Sequence, residues 1–140
     1  MNGGAISGNT ALGGGGVFVS DGSFTMNDGN IYGNTAIGAG GGVFVTGGSF
    51  AMNGGAISGN TALGVGGGVF LSKGSFTKTG GVITGGDLEG GNTASQSIGG
   101  YAVYVEDASG TTKRKETTSG PNDNLSFNGR ADSFAGAWDD

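Results

Sequence analysis

The sequence predicts an all-β fold, a right-handed parallel β-helix (solenoid) with three short strands in each 26-residue coil, about four coils and a C-terminal cap. Three observations predict it: a repeat of 26 residues, short apolar segments between turn-forming residues, and 36 glycines in 140 residues with only one proline. Collagen is excluded because the glycines follow no three-residue period. A disordered linker is excluded because the apolar residues recur at fixed places.

The repeat is evident when the chain is aligned with itself. Residues 1–12 are identical to residues 52–63, and residues 26–37 are a diverged copy between them. The spacing is 26 residues, shortened by one within the glycine run of the first copy. Periods of about 20–50 residues are typical of solenoids, propellers and arrays, but a propeller blade needs about 40 residues and four strands. Stacked coils therefore fit the period best.

Each unit contains three short apolar segments, which in the first unit lie around residues 5–6, 17–19 and 24–26. They are too short for helices, and glycine at this density costs a helix about 1 kcal/mol at each position. Strand alternation turns Phe18 and Thr25 outward. The same alternation points Val17, Val19, Phe24 and Met26 inward. With Ile6 and Leu12, six apolar side chains of this unit are predicted to point into the core.

The regular pattern ends before the chain does. Residues 1–77 are predicted to form three regular coils, and residues 78–108 a divergent fourth coil in which Lys78 replaces the methionine of earlier units. Most charged residues lie after residue 100, and a solenoid needs terminal units with a polar outer surface. Residues 109–140 are therefore predicted to be a polar C-terminal cap.

The first coil is predicted to be open at its N-terminal side, because Met1 occupies the same repeat position as Met26 and Met52. Its strands would then present unpaired backbone groups, which are a template for further strands. We expect either upstream coils of a longer chain or end-to-end self-association to cover this side. Docking of one end onto the other would give an open filament.

Composition argues against several functions. A net charge of −5 disfavours nucleic acid, and no stretch approaches the roughly 20 apolar residues of a membrane span. With no cysteine and no histidine, we expect no metal site and no cofactor. Residues 1–77 have only Asp21, Asp28 and Lys73 as ionisable side chains, so no catalytic residues are predicted.

Three columns of equivalent residues are candidates for structural or binding roles. An asparagine column, in which each side-chain amide can bond the next coil, is predicted to be a structural ladder: Asn9, Asn34, Asn60 and Asn92. An outward aromatic column is either a partner-binding strip or a ladder that stiffens the sheet: Phe18, Phe44, Phe70 and Tyr104. An outward threonine column is either an ice-binding array or a polar corner, and Tyr32 interrupts the column beside it: Thr10, Thr35, Thr61 and Thr93.

The succession GGAISGNTA, a glycine run, GGVFV and GSFTMN resembles the repeats of bacterial surface right-handed β-helix proteins. These include Gly-rich spirochaete repeat proteins and, more distantly, chlamydial polymorphic membrane proteins and autotransporter passengers. The resemblance covers residues 1–77 closely and 78–105 loosely. It implies a secreted protein or one displayed at a bacterial cell surface, and it implies no reaction. We therefore expect a non-enzymatic structural or adhesive stem, which presents faces at a distance or binds a host or matrix ligand along the aromatic column. The alternatives are an ice- or glycan-binding module and a degenerate polysaccharide-active enzyme.

Overall fold

A computed structural model of the chain describes residues 1–86, 88–95 and 99–106, with the backbone of residues 112–115 and 125–127. These residues contain seventeen strands, numbered in chain order and arranged in four sheets, and no helix. The first sheet contains β1 (Asn2–Ser7), β5 (Asp28–Tyr32), β9 (Ala56–Ser58) and β13 (Val82–Ile83). The second contains β2 (Thr10–Ala11), β6 (Thr35–Ala36), β10 (Thr61–Ala62) and β14 (Thr93–Ala94). The third contains β3 (Val17–Val19), β7 (Val43–Val45), β11 (Val69–Leu71), β15 (Val103–Glu106) and β16 (Thr112–Lys115). The fourth contains β4 (Ser23–Met26), β8 (Ser49–Met52), β12 (Ser75–Lys78) and β17 (Leu125–Phe127).

Equivalent strands of successive coils stack in parallel, which confirms the predicted β-solenoid with coils of about 26 residues. Equivalent repeat positions lie in register in the third sheet, so that Phe44 pairs with Phe18 on one side and with Phe70 on the other. The residue missing from the first copy falls in a turn. Register is kept before it, between Ala11 and Ala36, and after it in the third sheet.

The three apolar segments predicted for each coil are all strands, in the first, third and fourth sheets. The second sheet was not predicted. It consists of two-residue Thr–Ala strands. These pairs lie at the corner that follows the asparagine column. Their alanines point inward, and Ala36 and Ala62 are fully buried.

The core is a set of parallel columns inside the coils. Isoleucine, valine, phenylalanine and methionine from each coil contact their counterparts in the next coil. The predicted inward positions follow this pattern: Val43, Val45, Phe50 and Met52 are all buried in the second coil. The same columns are less covered in the first coil, where Ile6, Val17 and Phe24 are only partly buried.

One inward assignment is wrong. Leu12 is 80% exposed, and its counterparts Ile37 and Leu63 are also exposed. The reason is strand alternation, because Leu12 lies two residues after the outward Thr10 and therefore shares its direction. The small Ala11 takes the inward position at this narrow corner instead.

The glycine run between the second and third sheets lets adjacent coils approach closely. A Cβ atom on Gly41 would lie 2.4 Å from the carbonyl oxygen of Gly67 and 2.7 Å from that of Thr61. Real Cβ atoms do not make such contacts with a backbone, so this position requires glycine. Glycine at this position is thus a packing requirement of stacked coils.

The C-terminal side of the solenoid differs from the repeat. The divergent unit contributes β13, β14 and β15, and the fully buried Lys78 replaces the methionine of its column. Strand β16 then pairs antiparallel with β15, and β17 pairs antiparallel with β12. These two strands lie within the segment predicted to be the cap. The rest of residues 109–140 lies outside the described residues.

Candidate functional site

The asparagine column is a continuous hydrogen-bonded ladder. Each side-chain amide donates from Nδ2 to Oδ1 of the next asparagine, over 3.0 Å from Asn9 to Asn34, 2.9 Å from Asn34 to Asn60 and 2.8 Å from Asn60 to Asn92. Each Oδ1 also accepts the backbone N–H of the preceding asparagine. Asn34, Asn60 and Asn92 are fully buried, whereas Asn9 is exposed. This inner ladder therefore joins all four coils through their interior.

The inner ladder has a different environment at each end. At its C-terminal end, Asn92 donates both its backbone N–H and its Nδ2 to the carbonyl oxygen of Thr84, over 2.8 and 2.6 Å. At its N-terminal end, Asn9 uses Nδ2 as a donor to Asn34 and to Ser7. Its Oδ1 accepts no hydrogen bond from the described residues. At the C-terminal end of the ladder the donors of Asn92 are thus satisfied by the Thr84 carbonyl, whereas at the N-terminal end Asn9 Oδ1 has no donor among the described residues.

The aromatic column is a stack of rings on the outside of the third sheet. Centroids are 5.4 Å apart for Phe18 and Phe44, 4.9 Å for Phe44 and Phe70, and 5.8 Å for Phe70 and Tyr104. The column is not exposed along its whole length. Phe18 is 55% exposed, Phe44 is half-buried, and Phe70 and Tyr104 are each only 7% exposed. The column is therefore open to solvent only at the first coils.

Two differences between the coils accompany this gradient, one in the glycine run and one in the number of neighbouring rings. The residue just before the glycine with positive φ is Gly13 in the first coil, Ala39 in the second and Val65 in the third. The side chain at this position grows along the solenoid while Phe70 also gains a ring on either side. A Cβ atom on Gly13 would lie 2.7 Å from Phe44 Cδ1, so this position lies against the ring of the following coil.

Beside the first two rings lies an apolar groove of about 520 Å³. Its lining consists of two exposed side chains, the aromatic ring of the second coil and the small residues between them: Leu12, Gly13, Phe18, Gly38, Ala39 and Phe44. Its walls carry no charged group. The sequence reasoning did not combine these residues into a groove, because it had placed Leu12 inside.

The threonine column lies on the short strands of the second sheet, in register from coil to coil. Thr10 and Thr93 are exposed, Thr35 and Thr61 are half-buried, and the hydroxyl groups of Thr93 and Thr61 lie 3.1 Å apart and are hydrogen-bonded. The neighbouring column contains the exposed Tyr32 between two serines. A flat array of two threonine columns is therefore not formed by these residues.

A second ladder, which sequence reasoning missed, lies on the outside. Asn27 donates Nδ2 to Asn2 Oδ1 over 2.8 Å, Asn53 donates to Asn27 over 2.9 Å, and the Thr79 hydroxyl donates to Asn53 over 3.0 Å. All four residues are exposed. The available signal was the asparagine that follows methionine in each regular repeat.

Ionisable groups are sparse on the regular coils. Asp21, Asp28 and Lys73 are all exposed. Within the described ranges, no three His, Cys, Asp or Glu residues lie close enough to hold a metal ion. The part of the chain that the structure describes also has no helix long and apolar enough to cross a membrane.

Comparison with known proteins does not assign the chain to a family. The chain gives no match to a protein-family model, to a curated protein or to a solved structure. The resemblance to spirochaete and chlamydial surface repeats therefore stays a prediction from the sequence.

Proposed function

We propose that the protein is a non-enzymatic structural and adhesive stem of a secreted or bacterial surface protein. The observation that carries this proposal is the continuity of the inner ladder together with the stack of Phe24, Phe50 and Phe76 inside the fourth sheet. Their ring centroids are 5.6 and 5.4 Å apart, and the rings are nearly parallel. Each coil is thus held to the next by four sheets and two side-chain columns, an arrangement suited to a rigid spacer.

The adhesive part of the proposal is assigned to the groove between Leu12 and Phe44. Exposed apolar patches on a folded domain mark sites of interaction, and Phe18, which is 55% exposed, lines such a patch in the groove. Aromatic side chains are also the residues that contribute most to binding at interfaces. The ligand we propose is an apolar segment of a host or matrix protein.

Absence of enzyme activity is proposed from the chemistry of the regular coils. Glycoside cleavage, a reaction that β-helices can support, needs a pair of carboxylates flanking the bond. The regular coils offer only Asp21 and Asp28 as carboxylates, and both are exposed.

The test is binding of the purified protein to a panel of immobilised matrix proteins and glycans. We expect Phe18→Ser to reduce binding to a matrix protein at least tenfold, while Thr25→Ser, an exposed substitution on the fourth sheet, leaves it unchanged. Equal melting temperatures of the two variants show that folding is intact. If the protein binds glycans, and Phe18→Ser leaves that binding unchanged, the assignment of adhesion to the groove is contradicted. Release of reducing sugars from a polysaccharide would contradict the proposed absence of enzyme activity.

A further inference from the structure

The methionine column inside the fourth sheet changes to a charged side chain at its third position. Met26, Met52 and Lys78 lie in register on β4, β8 and β12, and all three are fully buried. Lysine is unbranched like methionine, but it carries a strongly hydrated ammonium group. Burial of an ion is costly unless charged or hydrogen-bonding groups surround it. Lys78 therefore has a requirement that the two methionines do not have.

The two methionines show where the end of this side chain lies. A Cβ atom on Gly55 would lie 2.7 Å from Met26 Cε, and a Cβ atom on Gly81 would lie 2.7 Å from Met52 Cε. Each methionine thus reaches the glycine turn of the coil stacked on its C-terminal side. An equivalent side chain at Lys78 ends beyond the Gly81 turn, where the next coil would stack.

A further regular coil would surround this ammonium with apolar groups. A regular unit places a methionine and a glycine turn there, as Met52 and Gly55 lie on Met26. Methionine offers only a weak sulfur acceptor, and glycine has no side chain. The carbonyl oxygens of Met26 and Gly55 already accept the N–H groups of Asn53 and Val82. The regular repeat therefore provides no partner suited to a buried charge at this place.

The chain places a different kind of strand at this edge. Strands β4, β8 and β12 pair in parallel, but β17 pairs with β12 antiparallel, with Leu125 opposite Lys78 and Phe127 opposite Phe76. Among the described residues, parallel stacking in the fourth sheet therefore stops at β12. The change from parallel to antiparallel pairing coincides with the change from methionine to lysine.

We propose that Lys78 is the residue that stops the stacking of regular coils in the fourth sheet. Its buried ammonium excludes a further regular coil from the C-terminal side of β12 and leaves that edge to the segment of the same chain that contains β17. The neighbouring core columns give no such signal, because Phe76 and Ile83 continue the phenylalanine and isoleucine columns unchanged. The proposal goes beyond the role of adhesive stem, since it concerns which strand pairs with β12 and involves no ligand.

The chain supplies the coil for the test. A copy of residues 53–78 inserted directly after Lys78 keeps the register of the repeat, because Asn53 follows Met52 in the native chain and Thr79 still follows a lysine. In this extended chain Lys78 has a regular coil on its C-terminal side, and the copied lysine takes its former place beside β17. The native and extended chains are each compared with their Lys78→Met variants, in which the copied lysine is kept.

The measurement is thermal unfolding of the four proteins. We expect Lys78→Met to raise the melting temperature of the extended chain by roughly 5 °C or more, and not to raise that of the native chain. Equal melting temperatures of the two extended chains would overturn the proposal, because lysine would then be tolerated beneath a regular coil. An equal rise in both chains would also overturn it, because the edge beside β17 would then suit lysine no better than a regular coil does.

A second pair of variants decides the matter if neither extended chain folds. Met52→Lys in the native chain places an ammonium beneath the regular turn at Gly81, and Met52→Leu is the apolar control. We expect Met52→Lys to melt at least roughly 10 °C below Met52→Leu, and equal melting temperatures would overturn the proposal. Folding of the extended chain only with methionine supports it. None of these readouts involves the groove ligand, so failure of this proposal is distinguishable from loss of the effect of Phe18→Ser on matrix binding.

Discussion

Replacement of Asn60 by alanine is expected to be among the most damaging polar substitutions in the solenoid. The Asn60 side chain donates Nδ2 to Ile31 O, Ser58 O and Asn92 Oδ1 over 3.0, 3.0 and 2.8 Å. Its Oδ1 accepts the N–H and Nδ2 of Asn34 over 3.0 and 2.9 Å. All of these bonds are lost in the variant.

The size of the effect follows from which groups remain without a partner. The buried backbone N–H of Asn34 loses Oδ1 of Asn60, and an unsatisfied buried donor costs about 1–3 kcal/mol. The other side-chain hydrogen bonds contribute about 1 kcal/mol each. With four such bonds besides that of the Asn34 N–H, we expect Asn60→Ala to lower the free energy of unfolding by about 5–7 kcal/mol.

The matched control is the same substitution at the exposed end of the ladder. Asn9→Ala removes an amide that is exposed to water, so we expect a loss below about 1 kcal/mol. The assay is urea unfolding followed by circular dichroism, and the comparison holds if the slope against urea is unchanged between variants. Equal midpoints for Asn9→Ala and Asn60→Ala would refute the idea that burial of the ladder stabilises the coils.

Two further pairs of variants test the core and the glycine run. Phe50→Ser is expected to lower the free energy of unfolding by about 3–5 kcal/mol, because it empties the middle of the inner ring stack. Phe18→Ser, on a ring that is 55% exposed, should lower it by less than about 1 kcal/mol. A lower melting temperature for Phe18→Ser than for Phe50→Ser would show that our inward and outward assignments are reversed. Gly41→Ala should prevent close stacking of two coils, since its Cβ would lie 2.4 Å from a backbone oxygen. Gly8→Ala, whose Cβ would meet nothing within 4 Å but whose φ is +68°, should cost only about 1–2 kcal/mol of backbone strain. Similar melting temperatures for the two glycine variants would show that the coils can separate to admit a methyl group.

The coil period and the strand positions could be predicted from the sequence because both follow from local rules. Identical repeats must occupy equivalent positions, and alternation within three residues fixes which side chains meet in the core. The buried Val43, Val45 and Phe50 follow from these rules alone. Leu12 was misplaced because its apolar character was given more weight than its position two residues after Thr10.

The extent of the aromatic strip could not be predicted, because it depends on neighbours outside each strand. Alternation gives Phe18 and Phe70 the same outward direction, yet one is 55% and the other 7% exposed. Phe18 has a neighbouring ring on one side only, whereas Phe70 lies between the rings of Phe44 and Tyr104. The direction of a side chain thus follows from its position in the strand, whereas its burial depends on the coils stacked on either side.

The inner and outer ladders contribute opposed side-chain dipoles to a longer solenoid. Amide N–H groups of the inner ladder point towards the C-terminal coil, as in the bond from Asn9 to Asn34, while those of the outer ladder point towards the N-terminal coil, as in the bond from Asn27 to Asn2. The two rows of amide dipoles therefore oppose each other along the axis. In an α-helix, aligned peptide dipoles leave about half an elementary charge at each end. Because each regular coil adds one dipole of each direction, these side chains can extend the solenoid without building up a charge at its ends.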